Sequence, residues 1–252
     1  ILNIDVLSFG RLAHRIFEEV GGNEKPVLDD TGKSLVLRKV AADLKDSLPV
    51  LGSRLDKQGY IHEVKSGISE FMQYGISVKD MDALIDYAQK RGSLCHKLKD
   101  LATLYEGFQK YIGDNFVTTE ETLDQLCVSL ERSEIIKGSV VVFDGFTGFT
   151  PIQNRVIQKL MLLADEVIVT LTMEAVAQDA LADIAEQDLF ALSKKTMRSL
   201  IKLAQDAGVL RGEDVLCEQN IRHKASESLA HLEKHMLRYP LKAYEGESLD
   251  IA

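Results

Sequence analysis

The sequence predicts an α/β protein whose parallel sheet is interrupted by a large all-helical insertion, and three observations carry that prediction. Val140, Val141, Val142 and Phe143 form an apolar run with no polar alternation, the pattern of a strand buried on both faces, as in parallel sheets. A helical stretch and a second β-branched run, EVIVTLT at 166–172, follow it and complete a β-α-β unit. At the other end of the chain, residues 3–8 read as a short strand feeding a helix, and the residues between read as helical up to about 135. Strands that bracket a helical block are what an insertion into a parallel sheet looks like.

In chain order, Leu12, Ile16, Phe17 and Val20 recur at helical spacing before Gly21 and Gly22 stop the helix. Asp30 or Thr31 caps the next helix, whose Leu35, Val36, Val40 and Leu44 share a face, and Pro49 with Gly52 ends it. Ser77 with Asp80, and Thr118 with Glu121, have the capping-box spacing of two further helix starts. Leu94, Leu98, Leu101, Tyr105, Phe108 and Ile112 make a long stripe at three- and four-residue steps, suited to a helical bundle. Thr150 and Pro151 supply an N-cap and a first-turn proline for a helix through Leu163. A helix from about 186 to 207 and a shorter one near 226–237 come next, and ESLDIA at 247–252 is expected to begin another strand. The expected division is 1–22, first strand and helix; 23–138, helical insertion; 139–175, return to the sheet; and 176–252, a mainly helical continuation.

The 252 residues are 45% hydrophobic and 27% charged, which excludes disorder, and no apolar run is long enough to span a membrane. Cys95, Cys127 and Cys217 stand far apart, so neither a disulfide framework nor a zinc knuckle is indicated, and a reducing compartment, the cytoplasm, is expected. The net charge of −9 argues against nucleic acid wrapped over the whole surface, so any such contact must be local. The opening ILNIDVLSFG starts directly in the first expected strand, as a piece cut from a longer chain would.

Few residues suggest chemistry. Residues 30–34, DTGKS, end like a phosphate loop, but the first glycine of that motif would fall on Val27 and no strand precedes it, so a capped amphipathic helix is the better reading. Asp144, at the carboxyl end of the apolar strand, stands where α/β proteins place metal and phosphate chemistry, or else binds nearby loop amides. Gly145 follows it, so no general base stands beside it. Phe146 and Phe149 either stack on bases at the sheet rim or pack the loop onto its own domain. Basic residues gather as Arg11 with Arg15, as Lys194, Lys195, Arg198 and Lys202, and as Arg222, His223 and Lys224. Lys194, Arg198 and Lys202 share one helix face, a possible phosphate contact or an ordinary solvated face. His231 and His235 form an i, i+4 pair without the HExxH arrangement, so no metal site is expected, and no nucleophile–base pair is visible. The catalytic residue set is therefore empty.

Three stretches, VLSFGRLAHRIFEEVGG, VVFDGFTGFTPIQNRVIQKLM and VIVTLT, together resemble the AddB (RexB) subunits of bacterial AddAB/RexAB helicase–nucleases, in order and spacing. The resemblance implies a superfamily 1, UvrD-type motor that has lost its helicase function, followed by a nuclease domain with a 4Fe-4S cluster. The sheet segments would then belong to a partial RecA-like domain of the P-loop NTPase type, and the helices between them to a 1B-type insertion. Asp144 would occupy the Walker B position with Gly145 in place of the water-activating glutamate, so hydrolysis is not expected of this piece. The longer protein would use ATP, Mg2+ and the iron–sulfur cluster, whose phosphate-loop and nuclease segments would lie outside this sequence. Its expected partners are an AddA/RexA-type motor-nuclease subunit and single-stranded and duplex-end DNA, with no membrane. Phe9, Arg11 and His14 look like positions lining the path on which such a protein scans a single strand for Chi, with His14 where a larger aromatic is expected. The contrasting reading is a structural scaffold that grips a protein partner and never touches DNA.

Overall fold

A computed structural model describes residues 3–22, 25–55, 57–113, 115–174, 183–217 and 221–246. Nine α-helices are described: α1 (Phe9–Val20), α2 (Asp30–Asp43), α3 (Gln58–Gln73), α4 (Val78–Tyr87), α5 (Gly92–Ile112), α6 (Thr119–Ser129), α7 (Pro151–Leu163), α8 (Ala191–Asp206) and α9 (Glu227–His235). Two small parallel sheets accompany them. One pairs β1 (Val27–Leu28) with β2 (Val117–Thr118), and the other pairs β3 (Val140–Phe143) with β4 (Glu166–Val169) in register Val140 to Glu166. The β3-α7-β4 unit is the expected one, and the protein is α/β.

Local signals place the helix starts. Ser77 accepts from the Asp80 amide and Thr118 from the Glu121 amide, and each acid reaches back to the cap's own amide. Thr150 closes a third capping box with Gln153 ahead of Pro151. Such boxes satisfy amides that a helix end otherwise leaves open.

Two apolar cores form. The first joins α2, α3, α4 and α5 through Leu37, Val40, Ile61, Ile68, Met81, Leu104 and Phe108. Where α5 crosses α2, a Cβ on Gly107 would lie 2.7 Å from Val40 Cγ1 and 2.8 Å from Leu44 Cδ1, so any larger residue there would have to displace those side chains. Asp100 of α5, itself buried, accepts from the amides of Val50 (2.9 Å) and Leu51 (2.8 Å) and fixes the loop after α2. The second core packs α1 on α6, α6 on α7 and α7 on α8, around Ala13, Ile16, Leu126, Leu130, Val156, Ile157 and Leu160. Full burial of each large aliphatic side chain contributes about 1.5–3 kcal/mol. Since α6 packs with α1 and α7, the stretch 23–138 expected as one insertion divides between the two cores.

Five expectations need correction. A short strand, β1, does precede the DTGKS segment, and β2 pairs with it inside the stretch expected to be helical up to about 135. Residues 3–8 form no strand and pair with none among the described residues, and Ile4 and Val6 stay exposed. β3 is not buried on both faces: Val140 and Val142 are 56% and 55% exposed, and only Phe143 is buried. The helix expected from 186 begins at Ala191, since Asp188 accepts from the Phe190 amide and holds a turn ahead of it. The shorter helix spans Glu227–His235 rather than 226–237. The strand expected at 247–252 lies outside the described residues. No described helix is long and apolar enough to cross a membrane.

Glu19, near the end of α1, accepts from Ser133 Oγ (2.6 Å) and from the amides of Glu134 (2.7 Å) and Ile135 (3.1 Å). The Ser133 hydroxyl, with the two amides, holds its carboxyl below the usual 4.5. A depressed folded-state value gives a contribution to stability that is complete above the ordinary carboxylate value and disappears as pH falls through the depressed one. The melting temperature of Glu19→Gln should therefore lie below wild type at pH 7 and converge on it as pH falls below the ordinary carboxylate range. Parallel curves across that range would show that Glu19 is not the titrating group.

Candidate nucleic-acid interface

The site is built at the carboxyl end of β3 and β4, the edge at which open α/β sheets bind ligands. Asp144 and Gly145 leave β3 together. Thr170, just past β4, donates its hydroxyl to Asp144 Oδ1 and accepts from the Gly145 amide at 3.4 Å, and its own amide donates to the Phe143 carbonyl at 2.9 Å. Asp144 is thus tied to the end of β4 through the Thr170 hydroxyl. Gly145 has φ +77°, which an L side chain rarely adopts, so a glutamate placed there would strain this turn.

Phe146 and Phe149 turn toward each other, with ring centroids 4.9 Å apart, and both pack on Phe143 (6.0 and 5.7 Å). Phe9, the first residue of α1, joins them at 5.7 Å from Phe143, 5.9 Å from Phe146 and 6.5 Å from Phe149. Four phenylalanines therefore form one cluster, in which Phe9, Phe146 and Phe149 are less buried than Phe143. Edge-to-face and offset pairs of this kind contribute about 0.5–1.5 kcal/mol each beyond burial. Thr196 of α8 donates to the Thr147 carbonyl at 2.8 Å and holds the loop from the other side. The arrangement is that of a loop packed on its own domain with part of each outer ring accessible.

Ser8 caps α1 by accepting from the Arg11 amide at 3.3 Å. Leu12, Ala13, Ile16 and Phe17 face the core, so Arg11, His14 and Arg15 are turned to solvent. His14 Nδ1 lies 3.5 Å from Glu18, and Arg15 lies 3.9 Å from Asp5. Arg11 stands two residues from the phenylalanine cluster and makes no ion pair among the described residues.

The α8 trio separates. Arg198 and Lys202 are exposed, but Lys194 is buried with its ammonium between Asp188 (2.6 Å) and Glu174 (3.0 Å). Asp188 and then Glu174 hold it charged and push its pKa above 10.5. That charge is already matched and offers little to a phosphate. Arg222 and Lys224 are exposed, and the rings of His231 and His235 meet at 4.5 Å, tilted by 47°, while His231 Nε2 engages the Lys242 carbonyl at 2.8 Å.

Phe143, Thr170 and Thr196 complete the site without being recognisable as site residues in the sequence. A residue filling a strand gives no sign of what packs beside its end, though a threonine directly after a β-branched run is a usable signal for Thr170.

The chain's residues do not fit the groups that the resemblance implies for the longer protein. Lys33 of DTGKS is buried on Glu120 (2.8 Å) and Ser69 (3.4 Å), so it cannot reach a nucleotide phosphate without breaking that pair. Cys95 and Cys127 sit in different surroundings and Cys217 is exposed, and burial pushes the Cys127 thiol up. Among the described residues no three or more His, Cys, Asp or Glu side chains gather as metal ligands.

A family model described as "ADDB, N-terminal" matches residues 1–233. A protein of Lachnoclostridium phytofermentans, named as the B subunit of an ATP-dependent helicase/deoxyribonuclease, is 38% identical, covering 100% of this chain and 22% of its own length. Proteins of the same name from Clostridium kluyveri and Thermoanaerobacter sp. are 36% and 34% identical, over 99% and 100% of the chain and 22% of each relative. The chain thus spans about a fifth of the length of the curated relatives it matches. The match along almost its whole length shows that the chain belongs to the AddB family.

Proposed function

We propose that this chain is the DNA-contacting, non-hydrolysing, helicase-like part of an AddB-type component of an ATP-dependent helicase/deoxyribonuclease. In this reading β3 and β4 belong to a RecA-like sheet and the α2–α5 block to its 1B-type insertion. The protein works in the cytoplasm, in DNA end resection and recombinational repair. It scans the emerging single strand for Chi beside an AddA/RexA-type motor-nuclease partner, and ATP, Mg2+ and a 4Fe-4S cluster serve other parts of the complex.

The observation that carries the reading is the start of α1, where Phe9 joins the aromatic cluster at the carboxyl edge of a parallel sheet and Arg11, two residues on and turned to solvent, is a cation without an ion pair among the described residues. A guanidinium there can take a phosphate or a base edge, and each good base contact is worth about 1–3 kcal/mol. Gly145 at the position after Asp144 supports the absence of hydrolysis, because no carboxylate stands there to orient water.

The test is Arg11→Ala in the full-length protein with its partner. The Chi-dependent change in product length should weaken by about tenfold or be lost, with unwinding rate nearly unchanged. Unchanged Chi-dependent products would defeat the assignment.

The scaffold reading draws on a different observation: Val140, Val142 and Ile168 leave one side of the β3–β4 sheet apolar and exposed, and the chain is acidic. Oligonucleotide affinity against salt separates the two. Phosphate contact requires a steep fall with salt, whereas a scaffold shows no binding even at low salt.

A further inference from the structure

A second concentration of uncompensated positive charge lies away from the β3–β4 edge, on the helical block. Residues 89–99 contain Lys90, Arg91, His96, Lys97 and Lys99 and no carboxylate. All five are exposed, and none has an ion-pair partner among the described residues. The nearest acids in sequence are engaged: Asp86 accepts from Gln89 Nε2 (2.9 Å), and Asp100 is buried on the Val50 and Leu51 amides.

The backbone that presents these cations is fixed. Ala88, 1% exposed, anchors the turn from α4 to α5, the Arg91 amide donates to its carbonyl (2.8 Å), and the Cys95 amide donates to the Arg91 carbonyl (3.0 Å). Cys95 is buried and Leu98 packs on the core of the block, while His96, Lys97 and Lys99 on the same stretch of α5 are exposed, Lys97 and Lys99 on either side of the buried Asp100 around the helix. Tyr87, the last residue of α4 and three and four residues before Lys90 and Arg91, is 83% exposed and has no ring or hydrogen-bond partner among the described residues. An aromatic held in solvent at the head of a run of unpaired cations combines the two elements that bind a nucleic-acid strand without sequence preference: charge that tracks phosphates and a face on which a base stacks.

We propose that Tyr87, Lys90, Arg91, Lys97 and Lys99 form a second nucleic-acid surface, which binds the phosphate backbone of a single DNA strand with a base stacked on Tyr87. This deepens the DNA-contacting reading above but stands on residues of another core, so each can fail without the other.

The experiment uses the full-length protein, a fluorescently labelled oligo(dT) of about 20 nucleotides and a blunt duplex of equal length, with affinities measured from about 50 to 300 mM salt. Reversing Lys90, Arg91, Lys97 and Lys99 to Glu together should lower oligo(dT) affinity at least about tenfold at the lowest salt and flatten the log–log salt slope by about 3. Tyr87→Ala should weaken oligo(dT) about fivefold and leave the duplex unchanged, and Tyr87→Phe should restore binding. Thermal melting of each variant at the wild-type temperature confirms that the exposed changes leave the fold intact. Unchanged affinity and slope in the reversal variant would overturn the proposal, with Arg11→Ala showing separately whether the sheet-edge contact stands. A loss confined to duplex, or one that Tyr87→Ala does not share, would overturn the single-strand assignment.

Discussion

Glu120→Ala should destabilise the protein by about 3–5 kcal/mol, among the largest effects of any single substitution here. Lys33 on α2 and Glu120 in the first turn of α6 are 3% and 7% exposed, and Lys33 Nζ donates to both carboxylate oxygens, at 2.9 and 2.8 Å. Among the described residues the ammonium's other hydrogen-bond acceptor is Ser69 of α3 at 3.4 Å, and Asp30 acts on it only at longer range while paired with Lys65, so deleting the carboxylate leaves a buried cation with one weak acceptor. The start of α6 also suits a negative charge, which the substitution removes. The pair spans the junction between the two cores: α2 and α3 belong to the first, α6 to the second, and the β1–β2 pairing lies at the same junction. Its loss should therefore loosen one core from the other as well as lower total stability. A double variant, Lys33→Met with Glu120→Leu, should recover most of the loss, because two apolar side chains of similar volume carry no desolvation cost. Urea unfolding of Lys33→Met, Glu120→Leu and the double gives the coupling energy directly. A Glu120→Ala cost under about 1 kcal/mol would mean that water reaches the pair.

That pair also shows where sequence reasoning stops. The motif containing Lys33 can be rejected as a phosphate loop on spacing alone, yet nothing local says what a buried lysine meets 87 residues away. Capping boxes at Ser77 and Thr118 are legible because both partners lie within one turn. The β3-α7-β4 unit is legible for the same reason, as two strands and a helix in succession. The exposure of Val140 and Val142 is not, since an apolar run records what a strand can bury and not what covers it. Lys194 reads as one of three cations on a face, but its burial depends on Glu174, 20 residues back and in no recognisable motif with it. The site is half legible: Phe9, Phe146 and Phe149 can be named from sequence, with stacking and self-packing both open for the loop pair, whereas their meeting on Phe143 is a fact of tertiary structure. The basic surface on α5 is readable as composition, but its meaning rests on the absence of ion-pair partners among the described residues.

Phe143→Ala should cost about 3–5 kcal/mol, the range for deleting a buried phenylalanine. Its ring, 7% exposed, is the one buried member of the cluster and touches all three others, so its removal opens a cavity beneath Phe9, Phe146 and Phe149 together. Phe146→Ala removes a less buried ring and should cost clearly less. Phe143→Leu keeps part of the volume and should lie between them. The consequence reaches the candidate interface through Phe9, which opens α1 two residues before Arg11. Without the ring beneath it, Phe9 keeps only its contacts with the less buried Phe146 and Phe149, and the first turn of α1 leans more on the Ser8 cap, a contribution of about 1 kcal/mol. Below its melting temperature, Phe143→Ala should therefore reproduce part of the Arg11→Ala defect with the guanidinium still present, whereas Phe108→Ala, equally destabilising in the first core, should not. Equal DNA-binding defects in the two phenylalanine variants would show that stability alone, and not the seat of α1, sets the interface.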